Sequence, residues 1–554
     1  MDSSSDNSAL NEILNYLKNI DDRVSKIEES INIQSTPIES AETVKKESQV
    51  EIKKSEEGLE ERIGQVWFPK IGIVVLIIGF AFFLTLPLQD LPVILPALMG
   101  YFLAAILFGL AKFWKQTFLQ LSGYLISGGF VLLYLTTMRL YYFGVEKAID
   151  SFPVIIILLL AVTAITLVTA LRRNSINFAS LGITFGIATA VLSDYSYFIF
   201  SVIVVLSVCV VLFHLKYKWN YLLFYGMFLA YFTHLIWFIN NPLLGNTIQT
   251  VSQPELNLFF ILVYVIIFSA AYLFPGKDEQ DNYVSASAAM FNSSGGFGLF
   301  ILITLLTSPS ANSIYHFVAA FIFIAIAVIY WVKLNNKHST FFYAMFGYVA
   351  LSIAIIGQFE KPDYFIWLCW QSLFVVSTAI WFRSKFIIVA NFVIYLMMFF
   401  GYLIVAETTG GISLSFGVVA LISARILNWK KDHLELKTEQ MRNAYLLSAL
   451  FIIPYALYQM FPGGYVSLSW IAIAIIYYLL SLLLNNIKYR WMALATYFLT
   501  VVYVFIFGMT SAETFLKIVS FLVLGVSLIV VSLVYARKKG KEKTETIDTQ
   551  QSEN

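Results

Sequence analysis

From Ile71 to Tyr535 the chain is a succession of apolar runs of about twenty residues, broken by short polar turns. A helix of that length crosses a hydrocarbon core of about 30 Å and satisfies its own backbone polar groups there. The pattern predicts about eighteen spans, centred near residues 79, 101, 129, 161, 184, 205, 228, 266, 295, 322, 348, 373, 395, 417, 452, 475, 499 and 526. Connections of about six residues suit tightly packed helical hairpins. The fold class is all-α: a polytopic transmembrane helical bundle filling residues 70–536.

Three shorter stretches precede the bundle. In residues 1–33, Leu10, Ile13, Leu17, Ile20, Val24, Ile27 and Ile31 recur at alternating spacings of three and four, a heptad seam flanked by polar residues. This predicts a short cytoplasmic coiled coil, able to self-associate or bind a protein partner; a helix that folds only against another surface fits equally well. Residues 34–57 hold few large apolar side chains and many Glu, Lys and Ser, and read as a disordered linker. Residues 58–69 place Leu59, Ile63, Val66 and Trp67 on one helical face, as expected of an interfacial amphipathic helix, with Pro69 marking a turn before the first span. Residues 537–554 form a basic, then polar, cytoplasmic tail.

Composition fits the pattern: 59% hydrophobic and 13% charged, against about 45–50% and about 25% for soluble domains. The net charge of +2 says little, but its placement says more. Lys and Arg cluster in every second connection, at Lys112 and Lys115, Arg172 and Arg173, Lys216 and Lys218, Lys277, Lys333 and Lys337, and Arg383 and Lys385. The series continues through Arg425, Lys430, Lys431, Lys437 and Arg442, then Lys488 and Arg490, and ends with Arg537, Lys538, Lys539, Lys541 and Lys543, twenty-three in all. The alternate connections hold Arg139, Lys147, Lys361 and Lys517. Positive-inside bias then predicts an even number of spans with both termini cytoplasmic. The polar opening "MDSSSDNSALNE" lacks the apolar core of a cleavable signal peptide.

Candidate chemistry is sparse. No zinc-protease, aspartyl-protease or phosphate-loop signature occurs, and no cofactor, catalytic residue or metal site is expected. Cys209 and Cys369 lie in apolar runs and read as small buried hydrophobes. Glycines 182 and 186 of "GITFG", and 295, 296 and 298 of "SSGGFG", suit close helix packing. The strongest polar interruptions of the span centres are neutral: Asn292–Ser293–Ser294, Gln371, Asn391 and His234. With no embedded carboxylate, an ion-coupled pump is disfavoured. On the outer face Arg139, Glu146 and Asp150, with Glu407 and Thr408 of "VAETTGG", form a candidate polar site; snorkelling and an ordinary turn are the plainer accounts.

The stretches "RIGQVWFPKIGIVVLIIGFAFFL", "LLYLTT" and "ALRRNSINFASLGITFGIATAVL" resemble the bacterial predicted membrane proteins catalogued as domain of unknown function 2339. Trp67, Lys70, Ile71 and Gly72 fit that family's entry to its first span. The resemblance implies a bacterial cytoplasmic (inner) membrane protein and brings no activity with it. The expected function is a non-enzymatic protein that moves or organises lipid-like or envelope-precursor cargo, with membrane lipids as partners and no nucleic acid. Two other readings stay open, a glycosyl- or acyltransferase acting on a lipid carrier and a scaffold working through its coiled coil. Reporter fusions at residue 245 should report the outer side, and fusions at residue 430 and at both termini the cytosol. A cytosolic signal at 245 would break the alternation.

Overall fold

The computed structural model describes residues 68–85, 92–116, 119–143, 146–273, 283–307, 312–406, 411–429, 438–463, 465–506, 522–523 and 525–526. The Leu10–Ile31 seam, the linker, residues 58–67, Glu407, Thr408 and the tail lie outside them. Among the described residues there are seventeen α-helices and no strand, and each of the first seventeen expected centres falls inside one helix. Twelve are long and apolar enough to cross a membrane.

The chain divides into two compact units, at Ala148 and Ile149. The first holds α1 (Phe68–Thr85), α2 (Leu95–Phe113) and α3 (Leu119–Arg139). Helix α1 starts with Pro69 inside its first turn rather than after a break, because proline lacks only an N–H that a helix start leaves unpaired anyway. Helices α2 and α3 form a hairpin, with α1 against α3. The "LTT" of the family-like motif makes this hairpin: Thr136 packs on Gly100, and Thr137 shares a 3.1 Å hydrogen bond with the Tyr101 hydroxyl.

Among the described residues the second unit holds fourteen helices. They are α4 (Phe152–Arg173), α5 (Ile176–Ser193), α6 (Ser196–Tyr217), α7 (Asn220–Phe238), α8 (Asn257–Ser269), α9 (Tyr283–Thr307) and α10 (Asn312–Ile329). They continue as α11 (Lys337–Gln358), α12 (Tyr364–Trp381), α13 (Lys385–Val405), α14 (Gly411–Trp429), α15 (Thr438–Met460), α16 (Val466–Leu483) and α17 (Ile487–Ile506). The most extensive packing joins neighbours across the basic turns: α4 with α5, α10 with α11, α12 with α13, α14 with α15, and α16 with α17. Next-but-one contacts, α5 with α7, α6 with α8, α9 with α11 and α12 with α14, knit the hairpins together.

Five of the basic turns share a backbone device. Asn174, Lys218, Asn335, Arg383 and Asn485 all take left-handed conformations, with φ between 46° and 57°. Asparagine tolerates this region better than most residues because its short side chain bonds locally. The N–H of Ser175, Ser384 and Asn486 then reaches back to the carbonyl of Ala170, Ala379 and Ser481, closing the helix end. Ser175, Asn336 and Ser384 are extended and lead straight into the next helix. The Asn336 side chain accepts from Ser339 N at 2.9 Å as an N-cap. So short a link forces the following helix back along its predecessor.

Between helices the unit is fastened by polar side chains. Asn292 on α9 is fully buried. Its Oδ1 accepts from the Tyr231 hydroxyl of α7 at 2.5 Å, and its Nδ2 donates at 2.9 Å to the Val265 carbonyl of α8 and to the Tyr343 hydroxyl of α11. One amide thus ties four helices, each bond worth about 1 kcal/mol in a membrane. Gly295 and Gly296 let Tyr231 come close: a methyl at Gly296 would collide with Val265, whereas one at Gly298 would meet nothing within 4 Å. In "GITFG", Gly182 seats Leu167 of α4 and Gly186 seats Leu206 of α6, so the motif serves two neighbours. Gly296→Ala should lower thermal stability in detergent by the overpacking cost of about 1–3 kcal/mol, and Gly298→Ala should leave it within about 0.5 kcal/mol. Equal effects would contradict this packing.

Candidate functional site

Of the outer-face candidates, Arg139 and Glu146 belong to the first unit and Asp150 to the second, while Glu407 and Thr408 lie outside the described residues. Arg139 ends α3 buried, 6% exposed, and its guanidinium donates to the Phe143 carbonyl at 3.4 Å. Glu146 and Asp150 are exposed, and neither makes an ion pair with a described residue. Lys147 lies 3.9 Å from the centre of the Tyr141 ring, a cation–π contact. Asp194, an acid at the end opposite the basic turns, takes hydrogen bonds from Asn241 at 2.7 Å and Asn246 at 3.3 Å, and so pins the connection that follows α7.

The histidines are built into aromatic packing. His234 is stacked on Phe200 at 4.7 Å and edged by Trp237 and Tyr264, while His316 bonds Thr304 at 3.0 Å. Among the described residues no group of three or more His, Cys, Asp or Glu comes together. Both cysteines are free, Cys369 buried and Cys209 partly so. At the end carrying the basic turns, Glu439 on α15 accepts from Arg442 at 3.0 Å and from Lys488 of α17 at 2.7 Å.

The two remaining polar interruptions, Gln371 and Asn391, meet at one cavity of about 300 Å³ between α11, α12 and α13. Its walls are apolar and aromatic, among them Phe341, Met345, Val349, Val375, Ile394 and Met398. Val349, Phe386 and Ile394 on its rim are exposed, so the cavity opens sideways at an apolar surface rather than into a polar vestibule. Phe341 lies four residues into α11 and Phe386 is the second residue of α13, which places one end of the cavity beside the basic turns. At 1.5 Å per residue, Asn391 sits about 9 Å deeper than Lys385.

The base is polar but uncharged. Gln371 and Ser352 form a closed pair: Gln371 Nε2 donates to Ser352 Oγ at 3.0 Å and to the Tyr348 carbonyl at 2.9 Å, and Ser352 Oγ donates to Gln371 Oε1 at 3.1 Å. Asn391 Nδ2 faces Ser372 Oγ at 2.8 Å, the Ser372 carbonyl at 3.3 Å and the Tyr445 hydroxyl at 3.2 Å. A carbonyl can only accept, which fixes the amide's orientation with its nitrogen towards Ser372. Tyr395, one turn on, donates to the Phe416 carbonyl of α14 at 2.7 Å. No lining residue carries a formal charge. This arrangement can hold an apolar body and hydrogen-bond an uncharged end; it offers no nucleophile–base pair.

Ser352 and Ser372 escaped the sequence reading, although each lies nineteen positions before its amide partner across a helical turn. That common spacing was the available signal. None of the protein-family models matches the chain, and no curated protein or solved structure does either.

If Gln371 and Ser352 act as a closed pair, the double variant Gln371→Leu with Ser352→Ala should cost less stability than the two single changes added together. Double-mutant cycles in membrane proteins put such coupling at about 0.6 kcal/mol. Strict additivity in reversible unfolding would show that the pair is not coupled.

Proposed function

We propose that this protein is a non-enzymatic, multi-pass protein of a bacterial cytoplasmic membrane that moves or organises lipid-like or envelope-precursor cargo, and that the cavity between α11, α12 and α13 holds that cargo. One observation carries the reading: a cavity of about 300 Å³ whose rim is exposed apolar side chains and whose base is two amides and two serines. Ligand pockets are mostly apolar with a few placed polar groups, and this one faces the medium in which lipids are the available ligands. Twelve apolar helices of spanning length support the membrane setting. Basic residues in every second turn support cytoplasmic termini. The motifs around Trp67, Thr136 and Arg172 support placement with domain of unknown function 2339.

Binding rather than catalysis is supported by the chemistry of the lining. Turning over a lipid-linked substrate calls for an acid, base or nucleophile within hydrogen-bond reach of the reacting atoms. The polar groups lining the cavity are amides and hydroxyls engaged with one another.

The test is occupancy. Protein extracted in native lipid should show chain-like density between α11, α12 and α13 and carry a bound lipid by native mass spectrometry. Ala390 lines the cavity, and Ala390→Trp should fill it, removing both signals while thermal stability stays within about 1.5 kcal/mol. Wild-type protein whose cavity is empty in native lipid would end the proposal.

A further inference from the structure

At the base of the cavity the amide of Asn391 is answered at one end only. The Oδ1 of Asn391 takes no hydrogen bond from any described residue, while the Nδ2 of the same amide has Ser372 and Tyr445 as partners. Asn391 is 94% buried and lines the cavity. Gln371, the other amide there, has both ends matched by Ser352 and Tyr348. An amide oxygen in an apolar setting without a donor is costly, so the occupant that fits best brings an O–H or N–H to that position.

The rest of the lining narrows the class. It contains no Lys, Arg or His, so nothing compensates a phosphate or carboxylate that leaves water to enter it. It contains no Asp or Glu, so nothing pairs with an ammonium group. The volume of about 300 Å³ lies at the lower limit of ligand pockets and takes one chain end rather than a multi-oxygen headgroup. From this geometry we infer that the site selects a long-chain membrane alcohol, which donates its hydroxyl proton to Asn391 Oδ1 and lays its chain between Phe341, Val375 and Ile394. The inference rests on the cargo-holding role proposed above and gives that cargo its chemical class.

The full-length protein in nanodiscs of phosphatidylethanolamine and phosphatidylglycerol, labelled with a diazirine-bearing hexadecanol, tests this. Labelled peptides should map within residues 341–398. Unlabelled hexadecanol should compete at least about tenfold better than hexadecyl methyl ether, which cannot donate, or hexadecyl phosphate, which brings a charge. In Asn391→Leu the alcohol-to-ether ratio should fall to about one. Tyr445→Phe removes a partner of the amide but leaves its oxygen, and should keep the discrimination. If Asn391→Leu does not fold, the competition on the unaltered protein still decides. Equal competition by the ether, or better competition by the phosphate, overturns the alcohol assignment while leaving lipid binding in place. Labelling by none of the probes overturns the cargo role itself.

Discussion

Inside hydrocarbon, apolar side chains gain little by exchanging lipid for one another, so helices are held by close packing and by polar groups that must find partners. This constraint accounts for the interior of the second unit. Two of its buried polar side chains, Asn292 and Asn391, sit where three or four helices converge. Asn292 joins α7, α8, α9 and α11, and Asn391 joins α12, α13 and α15. Gly295 and Gly296, next to Asn292, each remove a side chain so that Tyr231 and Val265 can approach.

The two asparagines resolve the same constraint differently. At Asn292 both ends of the amide are matched, and the helices close over it. At Asn391 only the nitrogen is matched, and the helices leave a cavity on the oxygen's residue. A fully matched amide is cohesive; a half-matched one beside open volume is receptive. That difference separates a structural crosslink from a candidate binding site in a chain that lacks embedded charges at its span centres.

Much of the fold was legible because its grammar is coarse. Runs of twenty apolar residues admit one backbone solution in lipid, and the centres read from them fall inside helices from α1 to α17. Asn292, Gln371 and Asn391 stand out as polar interruptions, yet in the sequence they weigh no more than His234. Nothing in single residues tells a ring-stacked histidine from a cavity-lining amide; that depends on which faces converge. The outer-face grouping of Arg139 with Glu146 and Asp150 followed from counting charge by side. Counting does not say that Arg139 is buried and answered by the Phe143 carbonyl. The start of α1 shifted for a local reason, since proline is at home in a first turn.

The left-handed turns also decide where the bundle can flex. A link of two residues, or of three as at 382–384, reaches at most about 7–11 Å, so helices joined by one cannot part far at that end without unwinding. Motion within such a hairpin is a scissoring whose pivot is the turn and whose travel grows towards the far tips. The cavity begins near the pivot at Arg383, where α12 and α13 are clamped. The turn therefore sets the shape of the cavity at that end, and what freedom α12 and α13 have to change it grows towards their far tips.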